Sequence, residues 1–331
     1  MKQANPKILI VRFSSIGDVV LTTPIVRCIK KQVPNVELHY LTKKAFAPIL
    51  QANPYIDQVK ILQPSLSRTV EDLRKEGYYK VIDLHNNQRT FMLKLMLNVA
   101  TTSFPKLNFE KWLMVHFKIN KLPQVHIVDR YFEAVSSLGV KNDNLGLEYF
   151  IPEQDRVRIN ELPPHFAKGY IAWAIGAQHA TKRYPKEKII EACLQLDKPI
   201  LLLGGKEDTP IGDAIASAVG DKVYNACGKY SLHGSASLVQ QAEKVVSNDT
   251  GLMHIAAAFQ KPIVSLWGNT VPEFGMYPYY AYNEVPQGAK IFEVQGLDCR
   301  PCSKLGYPKC PRGHFLCMNG IDNGNLIAAI N

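Results

Sequence analysis

Ile8-Leu9-Ile10-Val11-Arg12-Phe13-Ser14-Ser15-Ile16-Gly17-Asp18 is the stretch on which the fold turns. Its apolar run, rich in β-branched residues, reads as part of a strand over Lys7–Phe13 buried on both faces, a mark of parallel sheets. Gly17–Val33 then reads as a helix whose first turns are kinked or shortened by Pro24. A buried strand running straight into a helix is the opening of a βαβ unit.

The alternation continues outward from that stretch. Strands are expected at Val36–Thr42, Gln58–Leu62 and Val81–His85, and helices at Lys44–Ala52, Ser67–Glu76, Arg89–Val99 and His126–Leu138, the last closed by Gly139. Pro152, Pro163 and Pro164 bracket a polar linker, which puts a domain boundary near residues 150–167. Beyond it strands Tyr170–Ile175, Pro199–Leu203, Lys222–Asn225, Lys244–Asn248 and Pro262–Trp267 alternate with helices Lys186–Leu196, Thr209–Val219, Ser231–Ala242 and Leu252–Phe259. The expected class is α/β: two Rossmann-like domains, 1–155 and 156–331, with parallel sheets facing a central cleft, the last helix packing back on the first domain.

Composition narrows the function. A 46% hydrophobic content in 331 residues is too high for disorder. No apolar run approaches the roughly 20 residues of a membrane span. Ile8–Val11, followed at once by Arg12, is too short for a signal peptide, so a cytoplasmic protein is expected. Seven cysteines, an odd number, fit reduced thiols better than a disulfide framework. Residues 1–150 hold 21 Lys and Arg against 12 Asp and Glu, a net +9, whereas residues 151–331 hold 18 against 17, a net +1. No nucleic-acid reader motif accompanies that excess, and nucleic acid is not an expected partner. Thr101–Lys121, with Lys106, Lys111, Trp112, His116, Phe117, Lys118 and Lys121, reads either as a membrane-contacting surface segment or as an ordinary solvated helix with aromatics turned to the core.

Chemistry-bearing residues collect at the carboxyl ends of strands, where ligands of open α/β sheets bind. Asp18 follows the first strand in a turn that lacks G-x-G-x-x-G, which disfavours a dinucleotide oxidoreductase. Alone, an Asp in a first helical turn is more often a capping residue. Asp83, His85, Asn86 and Arg89 end the fourth strand, and Asn86 or Asn87 there can equally cap the next helix. In Val245-Val246-Ser247-Asn248-Asp249-Thr250-Gly251-Leu252-Met253-His254, a strand ends and a helix opens where backbone N–H groups and the helix dipole stabilise a diphosphate. The alternative is a plain N-cap with His254 a core residue. Lys182, in Lys182-Arg183-Tyr184-Pro185, puts a compact cation at the same sheet edge.

Taken together, Ile8–Pro24, Val81-Ile82-Asp83-Leu84-His85, Lys182–Pro185, and Ser247–Ala258 followed by Leu266-Trp267-Gly268-Asn269-Thr270 resemble glycosyltransferase family 9, the ADP-heptose:lipopolysaccharide heptosyltransferases, of GT-B architecture. The resemblance implies an inverting transferase that moves a heptose or related sugar from a nucleotide-sugar donor to a lipopolysaccharide core, with no catalytic metal or cofactor. It implies Asp18 as general base, Lys182, Asp249, Thr250, Gly251 and His254 as donor-binding, and an anionic glycolipid acceptor at the inner face of the membrane. Ser15, His85, Asn86 and Arg89 are acceptor-binding candidates. The family places an acidic ribose contact after a Ser-Leu pair; here Ser231-Leu232 is followed by His233. Rival readings are a nucleotide-sugar-binding protein without transferase activity and a GT-B-like sugar-nucleotide epimerase. The Cys299-x₂-Cys302-x₇-Cys310-x₆-Cys317 spacing is compatible with a structural zinc site, with a redox pair at Cys299/Cys302 or with inert thiols.

Overall fold

The computed structural model describes residues 5–331. One compact unit takes the chain up to Lys106 together with Val125–Phe150; a second takes Leu107–Gln124 and Ile151–Asn331. Each is built on a wholly parallel sheet.

In the first unit, β1 (Lys7–Val11), β2 (Glu37–Thr42), β3 (Gln58–Ile61), β4 (Lys80–Asp83) and β5 (Thr101–Ser103) lie in the order β3-β2-β1-β4-β5. Ile8–Val11 are fully buried, and Ile10 pairs with Tyr40 on one side and Ile82 on the other. The chain runs outward from β1 to β3 and then returns to the far side of β1, so the strand order reverses between β1 and β4, where a ligand crevice opens in sheets of this kind. The expected helix after β1 is two: Ile16–Val20 and Thr23–Gln32. Pro24 has no N–H to continue the first helix and sits in the opening turn of the second. Thr22 and Thr23 hydroxyls donate to the carbonyls of Val19 and Val20 at the break.

The expected helix over His126–Leu138 is a shorter one, Ile127–Glu133, followed by a 3₁₀ turn at Ser136–Leu138 that closes on Gly139 at φ 72°. β5 lies outside the strands expected from sequence; its three residues, Thr-Thr-Ser, carry no apolar pattern.

In the second unit, β6 (Ile171–Ala174), β7 (Ile200–Leu203), β8 (Val223–Asn225), β9 (Lys244–Asn248), β10 (Ile263–Trp267) and β11 (Lys290–Glu293) lie in the order β11-β10-β9-β6-β7-β8, reversing between β6 and β9. Trp173, Leu202, Val246 and Leu266 sit in its core. The last helix, Asn323–Ile330, belongs here: Leu326, Ile327 and Ile330 join that core, and Lys244 Nζ donates to the carbonyls of Ala329 and Ile330. The second unit also takes helix Asn108–Phe117, whose Met114 packs on Val271 and Phe274. No helix among the described residues is long and apolar enough to cross a membrane.

Candidate active site

At the reversal point of the first sheet, Arg12 and Asp18 face each other. Arg12 directly follows the apolar run Ile8–Val11 and is itself buried, so its charge must be paired. Its Nη2 lies 2.5 Å from Asp18 Oδ1, its Nε donates to the Ser14 carbonyl and its Nη1 to the Leu84 carbonyl. The other carboxylate oxygen, Oδ2, accepts from the Ser15 hydroxyl at 2.7 Å and the Ser15 N–H at 3.1 Å. Burial opposes ionisation of Asp18, but the Arg12 charge and the Ser15 hydrogen bonds outweigh it and hold the carboxyl below its ordinary range. Asp18 is therefore a charged carboxylate with its side chain one-fifth exposed.

The end of β4 supplies the neighbouring groups. Asp83 Oδ1 accepts from the N–H groups of His85 and Asn86, folding the chain into a tight turn with Asn86 at φ 50°. The His85 ring lies 5.0 Å from that of Phe13, and burial, with Arg12 and Lys106 nearby, lowers its pKa to about 4. It is neutral at physiological pH. Asn87 caps the next helix by accepting from Thr90 N–H. Arg89 donates to the Gln63 and Pro64 carbonyls, and the Asn86 side chain to the Phe104 carbonyl.

At the reversal point of the second sheet, the loop after β6 meets the turn after β9. Lys182 Nζ lies 2.6 Å from Asp249 Oδ2, which also accepts from Thr270 Oγ1 at 2.8 Å. Asn248, fully buried, locks the two strand ends together: its amide donates to the Ala174 and Ile175 carbonyls and its oxygen accepts from Tyr184 N–H. Thr250 is the N-cap of helix Gly251–Ala258 and makes no side-chain capping bond, so the first N–H groups of that helix have no intrahelical partner. Its hydroxyl lies 3.3 Å from Ser247 Oγ. His254 and His233 are both buried.

The cysteine-rich segment differs from the zinc expectation. No three of its thiols lie within 4.8 Å of one another. Cys317 is buried in the apolar core, Cys302 Sγ donates to the Cys299 carbonyl, and Cys299 lies 3.8 Å from His314 Nε2. Burial, and then the neighbouring thiols of the segment, push the Cys302 and Cys317 thiols up to about 11. The segment instead braces the sheet edge that carries Lys182 and Asp249. Arg300 donates to the Gly268 and Thr270 carbonyls, while Tyr307 and Thr181, next to Lys182, share three hydrogen bonds. Among the described residues, the side chains grouped closely enough to share a metal ion are Glu37, His39 and Glu76. Lys7 pairs with both of these carboxylates and Lys60 with Glu76, so the group reads as an ion-pair network.

Sequence reasoning overlooked two residues of these constellations. Arg12 carried a signal, a charge abutting four buried apolar residues. Thr270 lies in the Leu266–Thr270 stretch that carries the family resemblance, but nothing local signals its link to Asp249, made through space across 21 positions.

Comparison with known proteins follows the same lines. The family model for glycosyltransferase family 9 (heptosyltransferase) matches residues 66–298. Lipooligosaccharide heptosyltransferase 2 of Haemophilus influenzae is 24% identical over 294 residues, covering 81% of this chain and 84% of that protein. Among solved structures, the ADP-heptose lps heptosyltransferase II of Escherichia coli superposes with a TM-score of 0.74 at 19% identity, over 98% of this chain and 97% of that one. The Escherichia coli heptosyltransferase WaaC with ADP gives 0.62 at 23% identity, over 84% and 91%. These solved structures have the GT-B fold of two α/β units in series. Since the family match spans well over half of its length, the chain belongs to glycosyltransferase family 9, the heptosyltransferases, and is a glycosyltransferase.

Proposed function

We propose that this protein transfers a heptose, or a closely related sugar, from ADP-heptose to a lipopolysaccharide-type core with inversion at the anomeric carbon, working in the cytoplasm on an acceptor presented at the membrane. The observation that carries the reading is the Asp18 carboxylate, kept charged by Arg12 and Ser15 at the reversal point of the first sheet. A sugar hydroxyl is a poor nucleophile. A fixed carboxylate that takes its proton in the transition state supplies about 10²–10⁴-fold. The transferred bond breaks toward the diphosphate, whose growing charge falls to Lys182 and the N–H groups opening helix Gly251–Ala258. Asp249, a carboxylate beside an anionic ligand, acts through Lys182 by fixing where its ammonium stands. His85, Asn86, Arg89 and Ser15 remain the acceptor-side candidates, with Ser15 serving Asp18 directly.

The test is release of ADP from ADP-heptose by the intact protein with a truncated core acceptor. Release that requires the acceptor is expected, along with a loss of about 10²–10⁴-fold in kcat for Asp18→Asn with ADP binding retained. Lys182→Ala is expected to weaken ADP binding about tenfold or more, the usual cost of a charge-assisted hydrogen bond. Conversion of the donor without acceptor would make the protein an epimerase, and donor binding without turnover a binding protein. Calorimetry with ADP, GDP and UDP sugars tests the nucleotide, since His233 stands where the family carries a carboxylate.

A further inference from the structure

Helix Asn108–Phe117 has one face anchored and the other bare. Met114 is buried against Val271 and Phe274, with Val115 and Leu122 beside it. On the remaining surface Phe109 is 65%, Trp112 43%, Phe117 58% and Ile119 46% exposed. These are not scattered residues. Trp112 stacks on Phe109 with ring centroids 6.0 Å apart and meets Phe117 edge-on at 5.2 Å, so the rings form one continuous apolar patch. Lysines bracket it: residues 106–121 carry Lys106, Lys111, Lys118 and Lys121 against the single acid Glu110.

We propose that this patch is the membrane-docking element of the protein, its aromatic rings entering the interface of an anionic bilayer. The proposal rests on the reading above, in which the acceptor is membrane-presented, and names the surface that meets it. Two arguments favour a lipid surface over a protein. A stable protein interface buries roughly 800 Å² on each partner, far more than four side chains supply, whereas reversible lipid binding needs only a few apolar groups at headgroup depth and nearby cations. Lys111, Lys118 and Lys121, which lie in the same segment, also complement anionic headgroups within a Debye length. Lys106 Nζ is tied to the His85 and Asn86 carbonyls and Lys118 Nζ to the Val115 and Pro301 carbonyls, so the cations supply field while the rings supply insertion.

The chain contains a built-in reporter. Of its three tryptophans, Trp173 and Trp267 are buried and Trp112 alone is exposed. Titrating the intact protein with phosphatidylethanolamine–phosphatidylglycerol vesicles is expected to shift Trp112 emission to the blue, and Phe109→Ser/Trp112→Ser/Phe117→Ser should reduce co-sedimentation with those vesicles by about tenfold or more. Trp112→Phe should remove the spectral shift and keep the binding. An unshifted spectrum, equal sedimentation of the triple variant, or equal binding to pure phosphatidylcholine would overturn the proposal. So would a concentration-dependent dimer that the triple variant abolishes, since a second copy would then be the occupant. Transfer to a water-soluble acceptor fragment should be unchanged in the triple variant. A wild-type protein that docks but transfers nothing would refute the transferase reading and leave the docking surface standing.

Discussion

At the scale of single residues, Asp18 and Ser15 form a unit that can be titrated. The Ser15 hydroxyl donates to the carboxylate at 2.7 Å, and together with Arg12 it holds the Asp18 pKa below the usual range. A group with a depressed pKa keeps its charge until the pH falls through that lowered value, so Asp18 contributes no acidic limb to kcat/KM near neutrality. Ser15→Ala removes one of the bonds that favour the anion. The acidic limb should move upward in pH with little change on the plateau, and a limb unmoved in Ser15→Ala would show that Ser15 does something else. His85 provides the opposite-facing case: its pKa is lowered to about 4 from an unfolded value of about 6.5. The folded state binds that proton later than the unfolded state does, so the stability from keeping His85 neutral is complete above about pH 6.5 and lost between there and about 4. Urea midpoints of His85→Gln should fall less steeply than the wild type's across that interval. Asp18 stood out through the family resemblance, because its place after the first strand by itself reads as a helix cap. Its pairing with Arg12 was half legible, as a charge that burial obliges to find a partner.

At the scale of elements, the parallel strands were the most readable part of the chain, because runs such as Ile8–Val11, buried on both faces, leave little ambiguity. What the pattern withheld was the irregular chain between them. Thr101–Ser103 pairs along its backbone and needs no apolar side chains, so periodicity has nothing to detect. Helix Thr23–Gln32 shows how such pieces are held. Arg27, 1% exposed, meets Asp143 through two nitrogens and Glu148 through a third contact at 2.9 Å, and also donates to the Gly146 carbonyl. That pins segment 143–148 to the helix with one side chain. Removing one partner of a buried ion pair typically costs about 3–5 kcal/mol, so Arg27→Ala should lower unfolding stability by that order, whereas Arg27→Met, which leaves no hole, still strands both acids. Denaturant melts of the two variants check this; near-wild-type stability in Arg27→Ala would mean the acids are satisfied elsewhere.

At the scale of the whole molecule, two α/β units in series could be read from the alternation of strand and helix, but not which unit owns each segment. Sequence order assigns residues 107–124 to the first half, whereas packing assigns them to the second, carrying three lysines and a glutamate with them. Nothing local signals this, since Met114 finds Val271 and Phe274 only across more than 150 positions. Met114→Ala should cost about 2 kcal/mol or more. In calorimetry it should lower the unfolding transition that ADP raises, because a ligand stabilises the unit that binds it. A decrease confined to the other transition would return the helix to the first unit. This ownership bears on the order of synthesis. As the chain leaves the ribosome, helix 108–117 emerges some 150 residues before its packing partners, and the first unit is itself interrupted until residue 150 is out. The first unit is complete only when residue 150 is out, and the rings of Phe109, Trp112 and Phe117 spend the interval until Val271 and Phe274 follow beside an uncovered Met114. A chain arrested before Val271 would carry both faces of that helix bare, the one meant for lipid and the one meant for its own core.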